Sequence, residues 1–413
     1  MEVKPGYKQS EVGVIPEDWE AVPFSEFMEF QNGVNADKSA YGTGFRFINV
    51  LEVITKSHLR AQDIPGRVEL SKSRAAAYVV RRGDIVFNRT SETQEEVGLS
   101  AVYVGDEFVV FGGFVIRGQP KDERIHTIYA GYGLRAPVIR GQIVARGQGA
   151  IRANIGQADL RKVWMALPTK AEQDAIAEAL SDADALIESL EQLLVKKRRL
   201  KQGAMQELLS GKKRLPGFSG EWDVKRLGEL ADMGSGGTPP SSNAAFYDGD
   251  IPWVSISDMT QCGKVISTTD RNLSVAGLNS SAAQMFPAGT VLYAMYASLG
   301  ECSIAGMPLC SSQAILGIRA KSALDDEFLY YFLTSIKAQV KTMGQQGTQA
   351  NLNKGMVRDF QLQVPLRPEQ TAIAAILSDI DDEISALEAK LVKARQLKQG
   401  MMQELLTGRI RLV

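Results

Sequence analysis

The 413-residue sequence predicts an α+β chain: two globular domains of mixed strands and short helices, separated by two long helices that pair as an antiparallel coiled coil, with internal pseudo-two-fold symmetry. Three observations carry this. A long segment is repeated without a gap, the repeat has coiled-coil spacing, and its charges are segregated along its length.

The first globular domain is expected over 1–168. Short runs rich in Val, Ile and Phe, bounded by Gly, Asn, Asp and Pro, read as strands at Phe45 to Val50, Asp84 to Phe87, Ala101 to Val104 and Phe108 to Phe111. The first repeated helix follows over 169–215. Pro168 to Leu215 aligns with Pro365 to Leu412 at an offset of 197 residues, with 29 of 48 positions identical, far beyond chance. Ile176, Leu180, Ala183, Ile187, Leu190 and Leu194 alternate steps of four and three, the spacing of a coiled-coil seam. About 40 residues at 1.5 Å each make a helix near 60 Å long. Pro168 and Gly211 bracket it as start and stop signals, and the interior Gly203 predicts a bend or a close approach.

The second domain is expected over 216–365. Strands read at Ile251 to Ile256, Thr290 to Tyr293 and Ala314 to Ile318, and a helix at Glu327 to Thr342. It echoes the first domain faintly: RRGDIVFNRT (Arg81 to Thr90) has the apolar pattern of PAGTVLYAMY (Pro287 to Tyr296), and GQGAIRAN (Gly147 to Asn154) falls on GQQGTQAN (Gly344 to Asn351). The second helix occupies 366–413, with its seam at Ile380, Ile384, Leu387 and Leu391 and with Gly400 repeating Gly203. In the first helix Glu172, Asp174, Glu178, Asp182, Asp184, Glu188 and Glu191 precede Lys196, Lys197, Arg198, Arg199 and Lys201; the second is similar. Parallel pairing sets acid against acid, whereas antiparallel pairing sets each acidic half against the other's basic half and suits both helix dipoles. The antiparallel pair is therefore expected, with the two variable domains at opposite ends of a rod.

Composition and motifs exclude several function classes. No apolar run approaches the roughly 18 residues of a membrane span, so a cytoplasmic location is expected. Cys262, Cys302 and Cys310 form no CxxC pair, which removes a disulfide framework and a sequence-evident zinc site. No GxxxxGK[ST] loop is present, and GSGGT (Gly234 to Thr238) is a turn without a following Lys and helix. Asn-Pro-Pro-aromatic and Pro-Asp motifs are absent, and the two histidines, His58 and His126, read as ordinary loop or surface residues. A non-catalytic chain with no cofactor and no metal is the expectation.

Helices of the form EQxAIAxxLSDxD…LKQGxMQELLxG (Glu172 to Gly211, Glu369 to Gly408), the opening IPEDWE (Ile15 to Glu20), GGTPPSSNAAFYDGDIPWVSISDM (Gly236 to Met259) and GTQANLNKGMVRDFQLQVPLRPEQ (Gly347 to Gln370) together resemble the specificity subunit of type I restriction-modification enzymes. The resemblance covers essentially the whole chain, less closely over Asn35 to Glu96. It implies two target-recognition domains, each reading one half of a bipartite asymmetric double-stranded DNA target, with the helices setting the spacing and docking two methyltransferase subunits. Two restriction/translocase subunits complete such complexes. S-adenosylmethionine belongs to the methyltransferase partners, and ATP and magnesium to the motor subunits. The rival class is a coiled-coil scaffold with variable protein-binding ends and no DNA role.

Base edges are read by Arg, Asn, Gln, Ser and Lys on loops, and phosphates by charge, hydroxyls or backbone N–H groups. The net charge of −1 conceals an uneven spread: Phe111 to Pro168 holds nine Lys+Arg against three Asp+Glu, which predicts a basic face, while Pro216 to Pro365 holds ten against thirteen. Candidate DNA contacts in the first domain are Asn88, Arg89, Thr90 and Ser91 after a strand, and Arg146, Gln148, Arg152 and Asn154 in the loop before the helix. In the second they are Tyr296, Ser298, Gln345, Gln346, Thr348, Gln349, Asn351, Asn353 and Lys354, with Ser235, Gly237 and Thr238 placed for phosphates. Asn154 and Asn351 also suit a local backbone-capping role.

Overall fold

The computed structural model describes residues 4–149, 152–345 and 351–413. The chain divides into two compact units, Met1–Glu191 with Lys390–Val413, and Gln192–Ala389. Two 39-residue helices, Lys170–Leu208 and Arg367–Leu405, contribute one part to each unit. Among the described residues no helix is long and apolar enough to cross a membrane.

In the first unit a mixed five-stranded sheet runs in the order Met28–Asn32, Val115–Pro120, Ile85–Asn88, Ser100–Tyr103, His58–Leu59, antiparallel except for its last pair. The central strand Ile85–Asn88 is buried at all four positions, so it reads as a continuous apolar run rather than an alternating one. A second sheet has the order Arg67–Val68, Tyr41–Ile48, Val109–Phe111, Val79–Val80. One face of the first sheet packs on the helices Thr127–Gly133 and Pro137–Arg146, on Ile176, Leu180 and Leu405 of the long helices and on Leu406 just beyond, around Phe24, Phe27, Phe87 and Tyr129.

The second unit repeats this plan. Its five-stranded sheet is ordered Ala231–Ser235, Ile315–Ala320, Val291–Ala294, Cys302–Ala305, Val265–Ile266, with the same senses, and its second sheet is Arg271–Leu273, Ile251–Val254, Cys310–Ser311. The core gathers Tyr293, Phe328, Tyr331 and Leu362 on Met205, Leu208, Ile373 and Leu377 of the long helices. Each unit also ties a strand near its start to its last, Glu20–Pro23 with Trp164–Leu167 and Asp223–Arg226 with Gln361–Val364. The helix expected over Glu327 to Thr342 is instead two, Asp326–Ser335 and Lys337–Gln345, parted at Ile336.

The long helices are antiparallel within each unit. In the first, Lys398 meets Asp184 at 2.5 Å and Arg395 meets Glu191 at 2.6 Å, so one number rises as the other falls. In the second, Lys201 meets Asp381 at 2.5 Å, Arg198 meets Glu388 at 2.7 Å, and Lys197 pairs with Glu383. The first two pairs of the second unit are those of the first shifted by the sequence offset, so the charge segregation that predicts the pairing also supplies its contacts. Gly211 and Gly408 end the helices at φ +67° and +69°, the left-handed turn that glycine favours. Gly203 and Gly400, expected to allow a close approach, have open space where a Cβ would stand.

The repeated Glu-Gln pair at each helix start is explained by burial. Glu172 has no exposed side-chain surface and takes a two-pronged contact from Arg411, Nε to Oε1 at 2.5 Å and Nη2 to Oε2 at 2.7 Å, with Trp19 Nε1 donating to Oε2 at 2.7 Å. Glu369 takes the same fork from Arg214, at 2.7 and 2.8 Å. The planar guanidinium matches a carboxylate in two places, which is why Arg stands in both copies. Gln173 donates to Arg124 O at 2.8 Å and Pro168 O at 3.0 Å and accepts from His126 N; Gln370 does the same with Ala323 O, Pro365 O and Asp325 N. A buried amide left without these partners costs about 1–3 kcal/mol.

Candidate nucleic-acid interface

The two loops singled out in the first unit come together. Thr90–Ser91 pairs antiparallel with Ala153–Asn154, Thr90 Oγ1 donates to Asn154 Oδ1 at 2.7 Å, and Ile155 N donates to Arg89 O at 3.0 Å. Gln148 and Asn154 exchange backbone hydrogen bonds of 2.9 and 2.7 Å. Gly149 has φ +118°, and a Cβ there would meet Arg152 O at 2.1 Å. Gln148, Arg152 and Asn154 are exposed, and Arg152 lies 3.9 Å from Glu92, also exposed. Asn154 Nδ2 donates to Arg152 O, a local backbone bond.

Other candidates serve the fold. Asn88 is fully buried: Nδ2 donates to Glu96 O at 3.1 Å and its backbone bonds Leu99 and Gly98, so it offers no donor to a groove. Ser91 is buried against Glu96. Arg146 Nη1 donates to Gln142 O, and Arg89 Nη1 to Gly113 O at 3.3 Å, both half-buried.

The second unit builds the same junction from different residues. Leu352 N donates to Met295 O at 3.0 Å, the counterpart of the Ile155 to Arg89 bond. Tyr296 and Ser298 are half-buried in the loop after Val291–Ala294, and between them Ala297 has φ +59°, a left-handed conformation strained for a residue with a Cβ. Asn351, Asn353 and Lys354 are exposed; Asn353 caps the helix Lys354–Arg358, accepting from Met356 N at 3.0 Å. Gln345 closes a helix, while Gln346, Thr348 and Gln349 lie outside the described residues. Ser235 is exposed and Thr238 Oγ1 accepts from Gln313 N at 3.3 Å. Gly237 is a correction: its N–H is spent on Ser311 O at 2.8 Å, its carbonyl takes Trp253 Nε1, and a Cβ there would meet Ala283 N at 2.1 Å. It is inlaid in the sheet and presents no donor to a phosphate.

The basic face read from composition is also smaller than its count. Arg135 turns inward, with Nη2 at 2.6 Å from both Val53 O and Lys56 O and Nε at 2.7 Å from Ser100 O. Arg140 bridges Glu95 O and Val97 O, each at 2.7 Å. Burial lowers both guanidinium pKa values to about 10. Arg117 binds Gln31 and Val79 O beside Asp84, whose own carboxyl is raised by burial. Three of the nine basic residues therefore staple loops. His58, expected as a loop or surface residue, is instead half-buried on the strand His58–Leu59: Nε2 contacts Ile128 O at 2.8 Å and the ring packs on Tyr132 at 4.7 Å, and burial holds its pKa below 6.5.

A family described as the type I restriction modification DNA specificity domain matches residues 219–394. A protein of Methanocaldococcus jannaschii, named putative type I restriction enzyme MjaX specificity subunit, is 26% identical over 98% of this chain and 96% of its own length. The similarity to type I specificity subunits thus runs along nearly the whole chain. A shorter stretch, 35% of this chain and 32% of the relative, is 32% identical to the HindI specificity subunit of Haemophilus influenzae. The fold is that of the type I restriction-modification S subunit from M. genitalium, at a TM-score of 0.59 over 98% of each chain and 15% identity. A subunit from Thermoanaerobacter tengcongensis is similar at 0.51, over 96% of this chain and 98% of its own, with 20% identity.

Proposed function

We propose that the chain supplies DNA sequence specificity to a type I restriction-modification complex, with one half of a bipartite, asymmetric target read by residues 1–168 and the other by 216–365. Residues 169–215 and 366–413 set the spacing and dock two methyltransferase subunits, with two restriction/translocase subunits in the full assembly. The observation that carries this is a frame duplicated down to single hydrogen bonds, Ile155 to Arg89 in one unit and Leu352 to Met295 in the other, whose side chains differ, Arg89 and Thr90 standing where the other unit has Met295 and Tyr296. Equal frames give equal docking, and unequal loops give unequal half-sites. Thr90, Gln148, Arg152 and Asn154 serve the first half-site; Ser235, Thr238, Tyr296, Ser298, Gln345, Gln346, Thr348, Gln349, Asn351, Asn353 and Lys354 serve the second.

Replacing Gly220 to Pro365 with the corresponding segment of another specificity chain, followed by mapping of methylated sequences, tests this. One half of the target changes and the other is kept. A change in both halves, or in neither, refutes the modular reading.

A further inference from the structure

The two units share a turn that lies outside the loops considered so far. In the first unit it is Gly112-Gly113-Phe114, joining Val109–Phe111 to Val115–Pro120. Of the backbone hydrogen bonds that hold it, five recur in the other unit: Gly33 N to Val115 O, Val34 N to Phe111 O, Gly112 N to Ile48 O, Val115 N to Gly112 O and Arg89 N to Phe114 O, all 2.8–3.1 Å; Gly113 N also donates to Val34 O at 2.9 Å. In the second unit Ser312-Gln313-Ala314 occupies the same place. Gly236 N to Ile315 O, Gly237 N to Ser311 O, Ser312 N to Val254 O, Ile315 N to Ser312 O and Met295 N to Ala314 O repeat the five bonds at 2.8–3.1 Å.

The frame is constant, and only the tips differ. Gly33 and Gly236 are required in it, since a Cβ would stand 2.0 Å from Gly112 O in one and 2.3 Å from Ser311 O in the other. Each tip exposes one large side chain. Phe114 is 57% exposed and joins no core cluster, although the next residue, Val115, is buried across the ladder from the fully buried Asn88. Gln313 is exposed, with its backbone N–H held by Thr238 Oγ1. Phe114 O is bonded to Arg89 N, so this tip adjoins the Thr90–Asn154 junction; Ala314 O is bonded to Met295 N, so the other adjoins Tyr296. A rigid backbone that aims an exposed aromatic in one copy and an amide in the other is what differential base readout requires, because the frame fixes depth while the tip sets chemistry.

We propose that these two turns are base-reading elements, Phe114 making apolar contact with a thymine methyl group in one half-site and Gln313 hydrogen-bonding adenine N6 and N7 in the other. The proposal rests on the specificity reading above and adds the residue and base class at one position of each half.

The test uses the full chain assembled with its methyltransferase subunits and a DNA library randomised across the target. Phe114→Ala is expected to relax preference at one T·A pair of one half-site by roughly 5- to 150-fold, leaving the other half unchanged; Gln313→Ala does the reverse. Phe114→Leu, which keeps apolar contact, retains the preference in weakened form. Unchanged preference at every position in both alanine variants overturns the proposal, as does a uniform loss across all sequences, the mark of a turn that serves grip or folding. Were the wild-type complex to show no bipartite preference, the specificity reading itself would fall, which is a different result from unaffected variants of a selective complex.

Discussion

Removing Arg411 should loosen the first unit more than any other single change in the paired helix ends. Its guanidinium bridges Glu172, which is fully buried, and the partly exposed Asp18 at 2.7 and 3.0 Å. Taking one partner from a buried ion pair leaves an uncompensated charge and costs about 3–5 kcal/mol. Two features reduce that figure: Trp19 Nε1 still donates to Glu172, and Arg411 is 29% exposed, so water reaches the vacated end. About 2–3 kcal/mol is then expected for Arg411→Met, a fall in melting temperature of roughly 5–10 °C for a unit of this size. Glu172→Gln keeps the Trp19 bond and should cost about 1–2 kcal/mol. The double variant has no buried charge to strand, so its loss should fall short of the sum by at least about 1 kcal/mol. Denaturant titration of the four chains, followed by tryptophan fluorescence, measures this coupling. Losses that add to within about 0.5 kcal/mol would refute the clasp.

Three further outcomes follow from the structure. Gly83, at φ +91° before the central strand, should cost about 1–2 kcal/mol as Gly83→Ala, read in the same titration, because an L-residue is strained there. His58 has a folded-state pKa held below 6.5 by burial, so the unfolded chain binds the proton first and stability is lost as pH falls below 6.5. Melting curves from pH 7.5 to 5 should show that decline and His58→Gln should flatten it. Asp84, raised by burial, contributes the opposite slope and is common to both chains, so a variant as steep as the parent excludes His58. Finally, the chain alone should bind its target only in the range of about 10⁻⁴–10⁻⁶ M at physiological salt, with its methyltransferase subunits supplying the rest of the grip on phosphates. A salt titration of binding with and without them decides the matter, and tight binding by the chain alone would count against that division of labour.

Much of the frame was legible in the sequence because it is written twice. The offset of 197 residues aligns Asp184 with Asp381 and Lys201 with Lys398, and segregated charge then leaves one favourable pairing. Central strands were legible as apolar runs. Direction was not: a count of Lys and Arg cannot tell Arg152, which faces solvent, from Arg135, which is folded onto three carbonyl-bearing segments. Asn88 looked like a loop donor because it ends an apolar run, yet the ladder to Val115 draws it into the core. Gly112 to Phe114 and Ser312 to Ala314 share no residue, and what they share is carbonyl and N–H geometry, which no residue alphabet records.

The five bonds around each of these turns join main chain to main chain, so none depends on which side chain stands at the tip. Substitution at position 114 or 313 therefore draws almost nothing from a margin of stability that in folded domains is only about 5–15 kcal/mol. Such positions accept substitution without compensation in the fold, whereas Glu172, Gln173 and Arg411, tied to one another's neighbours through side chains, do not. The chain thus separates what must persist from what is free to drift, and evolvability is a property of its hydrogen-bond plan.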